Sequence, residues 1–146
     1  MQLSPYLYFA GNCEEALAFY QQATGAKLAF KMTWGDVPSD QHQQPEKQNS
    51  PAAQQPADDK IMHALLHIGD GELQLSDSAE AVNYNGFAVS LSSHDVEEGK
   101  RWFDNLAEGG SVTLAWKETF WALGFGTLVD KFGIPWRISV NKPASN

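Results

Sequence analysis

Several side chains in this 146-residue sequence are equipped for chemistry, and their spacing decides which. His63 and His67 stand four residues apart. On a helix that spacing lets two imidazoles share one ion; on a strand it is about 13 Å of chain, too far for a single metal. Lys60 to Ile68, followed by Gly69-Asp70-Gly71, reads as a strand entering a tight turn, so the two histidines are expected on a half-buried strand face. Arg137 sits in Ile134 to Val140, a run read as a strand. Its planar fork of donors suits a carboxylate or phosphonate, and the alternative is a surface ion pair with one of the many acidic residues. Glu118, in Lys117-Glu118-Thr119-Phe120-Trp121, is the candidate general acid or base, or a hydrogen-bond acceptor. Trp116, Phe120, Trp121 and Phe125 form a local density of aromatics that would serve as core, subunit interface or binding surface. Cys13 falls in the first turn of a helix, where a thiol pKa drops, but Glu14 and Glu15 oppose that effect; it reads as structural.

Composition narrows the classes. Hydrophobic residues make up 42% of the chain, enough for a globular core, and the length suits one domain. A net charge of −8 disfavours nucleic acid and anionic membranes, which need a basic face. No apolar run approaches a bilayer span of roughly 20 residues. The segment MQLSPYLYFAGN lacks a basic lead-in to its apolar stretch, and one cysteine fits a reducing compartment, so the expectation is a cytoplasmic protein.

The elements that must position these residues follow in order. Leu3 to Phe9 reads as a strand. Asn12 caps a helix, with Glu15 three residues on as in a capping box, and Gly25 ends it. Ala26 to Trp34 is the next strand. Gly35 to Asp59, with four prolines and almost no apolar residue, reads as a long mobile surface loop, either a lid or an insertion. Lys60 to Ile68 and Glu72 to Asp77 form a hairpin. With Asp70-Gly71 as its two-residue loop, Leu66 pairs with Leu75 on a greasy face and His67 with Gln74 on a mixed one. Ser78 to Asn85 is a polar link. Phe87 to Leu91 is a strand, and Asp95 caps a second helix with Val96, Trp102, Phe103 and Leu106 as its apolar side, stopped at Gly109-Gly110. Ser111 to Lys117, Leu123 to Val129 and Ile134 to Val140 are strands, the last two joined by the turn Asp130-Lys131-Phe132-Gly133. Asp77 and Asp130 read as turn residues.

An offset of 83 residues superposes the halves. Asn12 falls on Asp95, Glu15 on Glu98, and Phe19-Tyr20 on Trp102-Phe103, so the chain reads as an internal duplication of strand, helix, then three strands. The segments SPYLYFAGNCEEALAFY, KIMHALLHIGD with LQLSD, VEEGKRWFDNLAEGG and ETFWALGFGTLVDKFGIPW resemble the PhnB-like branch of the vicinal oxygen chelate superfamily, the glyoxalase, bleomycin-resistance and dioxygenase fold. The resemblance implies an α+β domain spanning 1–146: two βαβββ modules, 1–77 (with the mobile loop 35–59) and 86–141, whose sheets curl round a cavity with a helix outside each.

It also implies a place for ligands. Metal-dependent members set one on the first and last strand of each half. Here the first-strand windows Ser4-Pro5-Tyr6 and Gly86-Phe87-Ala88 offer none beyond a phenol. The last strands offer Gln74 and Arg137, and a guanidinium repels a cation. The expected reading is therefore a small-molecule-binding protein with no metal and no cofactor, its site drawn from His67, Gln74, Trp116, Trp121, Phe125 and Arg137. An enzyme using Glu118 as acid or base with Arg137 as anion clamp is the alternative, and a dimeric scaffold with a vestigial cavity is a third reading. A homodimer is expected, with an unknown small molecule as the other partner. Limited proteolysis of the unliganded protein is expected to cut first between Gly35 and Asp59, and a first cut elsewhere would remove the loop reading.

Overall fold

The computed structural model describes residues 1–38 and 56–143, which fall into two compact units, Met1–Asn83 and Tyr84–Asn146. Each unit is a βαβββ module. The first contains β1 (Tyr6–Phe9), α1 (Cys13–Thr24), β2 (Lys27–Thr33), β3 (Ile61–Ile68) and β4 (Gly71–Asp77). The second contains β5 (Val89–Ser93), α2 (Val96–Ala107), β6 (Ser111–Lys117), β7 (Ala122–Val129) and β8 (Pro135–Asn141). The sheets have the same order, β1-β4-β3-β2 and β5-β8-β7-β6, with the first pair parallel and the others antiparallel. The first strand of each half is shorter or later than the sequence implies: β1 starts at Tyr6, and β5 begins two residues after Phe87.

The two helices, each 12 residues long, stand 83 residues apart, which is the predicted repeat. Tyr20 and Phe103 are buried at equivalent positions, while Phe19 and Trp102 are half-buried. Strands β1, β3, β4, β7 and β8 turn one alternating set of residues to the helix side of their sheet, as the two-residue period of a strand requires. Leu7, Phe9, Leu66, Leu73 and Leu75 form the helix side of the first sheet, and Leu128, Trp136, Ile138 and Val140 that of the second. The second helix approaches its sheet through a glycine: a Cβ on Gly99 would lie 2.6 Å from Val140 Cγ2. That close approach replaces the contact expected from Val96, which is 38% exposed.

The β3–β4 hairpin differs from the expected register by two residues. Leu66 pairs with Leu73, and His67 with Glu72, because the loop is Gly69-Asp70. Gly69 takes φ +56° at the first loop position, where a left-handed residue is favoured in a tight hairpin. A slip of two leaves every side chain on its expected face. The segment expected as a loop from Gly35 begins later than the sequence suggests. Trp34–Asp36 forms a 3₁₀ turn, and Trp34 and Val37 are buried. The Trp34 and Gly35 N–H groups donate to the carbonyls of Lys60 (2.9 Å) and Asp58 (2.8 Å), so both ends of the segment are tied together. Its middle, 39–55, lies outside the described residues.

The caps also depart from expectation. Asn12 makes no side-chain cap. Asp77, at the end of β4, does that work: its Oδ1 accepts from the N–H groups of Gly11 (3.0 Å) and Cys13 (2.9 Å), and its Oδ2 from that of Ile61 (2.8 Å). It is thus a buried tie between three segments and not a turn residue. Burial, with Asp77 and Glu14 close by, pushes the Cys13 thiol far above its ordinary pKa, so it stays a protonated structural group. In the second module Asp95 caps its own helix through the Glu97 N–H, and Glu98 accepts from the Ser93 hydroxyl. Asp130 is a turn residue as predicted: it accepts from the N–H groups of Phe132 and Ile134, and also from the Trp136 indole at 2.9 Å.

Removing Asp77 orphans three backbone donors, two of them buried. Asp77→Ala is expected to cost about 3 kcal/mol, and Asp77→Asn, which keeps one acceptor oxygen, less. Urea unfolding checks this through a lower midpoint at unchanged slope.

Candidate functional site

The face of each sheet turned away from its helix carries the chemistry. In the second module two rows of side chains cross that face. Ser90 on β5, Arg137 on β8 and Thr127 on β7 are paired neighbours, and Thr127 Oγ1 lies 2.6 Å from the Thr113 hydroxyl on β6. The next row is Ser92, Ser139, Phe125 and Lys117. The Ser92 and Ser139 hydroxyls are 3.2 Å apart. Neither row contains a carboxylate.

Arg137 stands over the Phe125 ring, its guanidinium carbon 5.0 Å from the centroid. The Trp121 ring meets Phe125 edge-on at 4.7 Å. Stacking a guanidinium on a ring leaves the N–H fork at its edges available for a ligand while the ring quadrupole favours the cation. Phe125 is only 7% exposed, whereas Arg137 is open to solvent. Among the described residues Arg137 has no acidic partner, so the expected alternative of a surface ion pair is absent there.

Other predicted residues fall elsewhere. Trp116 projects to the helix side of the same sheet. It packs on Phe103 at 5.5 Å and fills the space that a Cβ on Gly124 would need. There it borders an open surface groove of about 500 Å³ with Val96, Lys100 and Arg101. Two strand positions of different parity therefore separate Trp116 from Phe125. Glu118 pairs with Lys142 at 3.4 Å, with both side chains exposed. In the first module Gln74 is half-buried and donates to Ser4 Oγ at 2.7 Å, and His67 faces Glu72 at 3.5 Å. His63 and His67 lie on one strand face as predicted, and His63 contacts Tyr6. The hydroxyl rows around Arg137 escaped the sequence reading because each contributes one residue from a different strand. The signal was the Ser90-x-Ser92 and Arg137-x-Ser139 spacing, interpretable only once those strands are known to be neighbours.

The resemblance implies ligand positions on the first and last strand of each module. The paired residues on first and last strands are Tyr6 with Gln74, and Ser90 with Arg137. A phenol, an amide, a hydroxyl and a guanidinium do not fit a divalent cation; the guanidinium has no lone pair and carries positive charge. Among the described residues no three His, Cys, Asp or Glu side chains are grouped to hold an ion. Nor is any helix there long and apolar enough to cross a membrane.

The chain is similar to known proteins in sequence and in fold. The chain is 48% identical over 144 residues to Protein YjdN of Escherichia coli (strain K12), covering 97% of each. The crystal structure of protein PA1353 from Pseudomonas aeruginosa matches with a TM-score of 0.78 and 38% identity, covering 95% of this chain and 96% of that one. The fold is also that of a PhnB protein from Bacillus cereus, described as a putative 3-demethylubiquinone-9 3-methyltransferase (TM-score 0.71, 20% identity, 95% and 98% covered). Residues 2–138 match the model of the Glyoxalase/Bleomycin resistance protein/Dioxygenase superfamily, and the paired βαβββ modules agree with it: the chain belongs to this superfamily.

Proposed function

We propose that the protein binds a small anionic molecule, without a metal ion, on the open face of the β5-β8-β7-β6 sheet. The observation that carries this reading is Arg137: a guanidinium stacked on Phe125, free of any carboxylate among the described residues, and flanked by hydroxyls from neighbouring strands. Arg137 holds the anion through two parallel N–H bonds, Ser90 and Thr127 supply further polar contacts, and Trp121 with Phe125 provides an apolar wall. Within an acidic chain, a face with Arg137 and Lys117 and no acid in its rows is a local positive site. Gln74 and His67 belong to the other module and are assigned no contact in this binding mode.

The enzymatic alternative, with Glu118 as acid or base, has less support. Its carboxylate is engaged with Lys142 at the surface, and no hydrogen bond or ion pair links it to Arg137. The scaffold reading leaves without a role a guanidinium that stands over a ring and has no acidic partner among the described residues.

Two outcomes test the binding reading. Elemental analysis of the purified protein is expected to find far less than one equivalent of Zn, Ni, Mn or Fe. Titration with benzoate and with inorganic phosphate is expected to shift signals of Arg137 and Trp121. Arg137→Ala should weaken the better ligand by about tenfold or more, and Arg137→Lys should recover only part, since a lysine lacks the fork. Binding unaffected by Arg137→Ala would remove the site.

A symmetric pair of chains is the second part of the proposal. Each four-stranded sheet has two edge strands, and unpaired edges need cover. Light scattering at micromolar concentration is expected to give twice the 16.1 kDa chain mass. A 16.1 kDa species would end the dimer reading.

A further inference from the structure

The link between β4 and β5 contains an asparagine followed by a glycine, Asn85-Gly86. This dipeptide has a reaction of its own. The backbone nitrogen of the second residue can attack the side-chain amide carbon of the first, and a glycine has no side chain to obstruct its nitrogen. A fold suppresses the attack where it ties that nitrogen into a hydrogen bond, because the bond must open first.

Here the fold leaves the pair open. Both residues are exposed and lie outside helix and strand. Neither forms a hydrogen bond among the described residues. Gly86 has φ +79°, a left-handed conformation that a side chain would strain, although a Cβ there would meet nothing within 4 Å. The glycine is thus required by its backbone and not by crowding, so the fold itself places an unhindered nitrogen after Asn85. The ends of the segment are held. Tyr84 lies against the β7–β8 turn, where a Cβ on Gly133 would be 3.2 Å from its Cδ2, and Val89 pairs with Trp136. Asn85 to Ala88 form a short exposed strap between these two anchors.

Comparable positions elsewhere among the described residues are protected. Asp70-Gly71 could close the same ring from its carboxyl group, but Gly71 is paired with Ile68 at the closed end of the β3–β4 ladder. After Asn12, the Cys13 N–H donates to Asp77 at 2.9 Å. After Asn141, the Lys142 N–H donates to the Trp121 carbonyl at 3.1 Å. After Asn105, Leu106 lies inside α2. Asn83 is followed by Tyr84, whose bulk hinders its own nitrogen.

We propose that Asn85 is a site of spontaneous deamidation, and that its isoaspartate product loosens the strap into β5. The Gly86 nitrogen bonds to Asn85 Cγ, the Cγ–Nδ2 bond breaks, and ammonia leaves with the proton that the Gly86 nitrogen gives up. The resulting five-membered imide adds a water molecule at one of its two carbonyl carbons. Cleavage between nitrogen and Cγ gives aspartate. Cleavage between nitrogen and the main-chain carbonyl carbon gives isoaspartate, whose main chain runs through Cβ and is one atom longer. Water is the sole co-reactant, and nothing is oxidised or reduced. Either product adds a negative charge to a chain that already carries −8. Isoaspartate alone lengthens the strap. With Val89 fixed in the ladder, the extra atom is taken up at the other anchor, and Tyr84 loses its seat on the turn.

The test incubates the intact folded chain at mildly alkaline pH beside a synthetic peptide covering Val82 to Val89, and follows both by peptide mass mapping. The segment holding Asn85 is expected to gain the mass of an amide-to-acid exchange at a rate within several-fold of the free peptide. A protein isoaspartyl methyltransferase is expected to label that segment and to leave Asp70-Gly71 unlabelled. Asn85→Gln, whose longer side chain closes a less favourable six-membered ring, should abolish the label while freshly made protein unfolds at the same temperature as before. Asn85→Asp supplies the charge without the extra atom, so aged protein enriched in isoaspartate is expected to unfold at a lower temperature than this variant. Protection of Asn85 by about tenfold or more relative to the peptide, the mark of a nitrogen held by structure, would overturn the site. Labelling that survives Asn85→Gln would do the same. Equal unfolding of the isoaspartate form and Asn85→Asp would overturn the loosened strap.

Discussion

Asp77 holds the first module together at one point. Its two carboxylate oxygens receive N–H groups from the turn before α1, from the first residue of α1 and from the start of β3. A helix N-terminus is normally capped by the residue just before it, but here the cap comes from the end of a strand 64 residues away. That choice fixes the helix to the sheet and not merely to its own loop. It also keeps the beginning of β3 beside β4, so the base of the segment between Trp34 and Lys60 closes on a fixed frame. The negative charge sits near the Cys13 thiol and, with burial, keeps it protonated. A helix N-terminus that would elsewhere activate a cysteine is here made inert by burial first, and then by the group that caps it.

The second module solves the same problem with different residues. Asp95 caps α2 locally, Ser93 and Glu98 link the end of β5 to the helix, and Asp130 organises the β7–β8 turn while receiving the Trp136 indole. The topology is repeated, but the polar ties are not. Once each helix has taken one face of its sheet, strand parity leaves only the opposite face for chemistry. In one module that face is lined by hydroxyls and an arginine; in the other it is lined by rings and an imidazole. The positions that match in register, Tyr6 with Gln74 and Ser90 with Arg137, carry four different functional groups. Duplication has supplied two equivalent frames whose faces have separate chemistry.

Much of this was legible in the residues alone. The alternation of Trp136, Ile138 and Val140 with Arg137 and Ser139 already assigns the faces of β8, and an 83-residue offset already pairs the helices. Strand parity and helical period are local properties, so sequence determines them. The faces also survived the slip of two residues in the β3–β4 hairpin, because a shift of two preserves parity. Trp116 was harder. It stands nine residues from Phe125 among other aromatics, and only the irregular β6–β7 pairing decides that the two lie on opposite sides of the sheet.

What tertiary structure alone decided is which strands are neighbours. Ser90, Thr127 and Arg137 are spread over 48 positions of sequence and meet only because β8 lies between β5 and β7. Tyr6, Gln74 and Phe30 meet in the same way across β1, β4, β3 and β2. The cap by Asp77 was equally hidden, since an aspartate at a strand end followed by a polar link has the local signature of a turn residue. Backbone periodicity is written in neighbouring residues, whereas a lateral row on a sheet is assembled from strands distant in the chain. The sequence therefore determined the repeated order of elements and, away from the irregular β6–β7 pairing, the face on which a side chain stands, and the packing of strands determined which side chains act together.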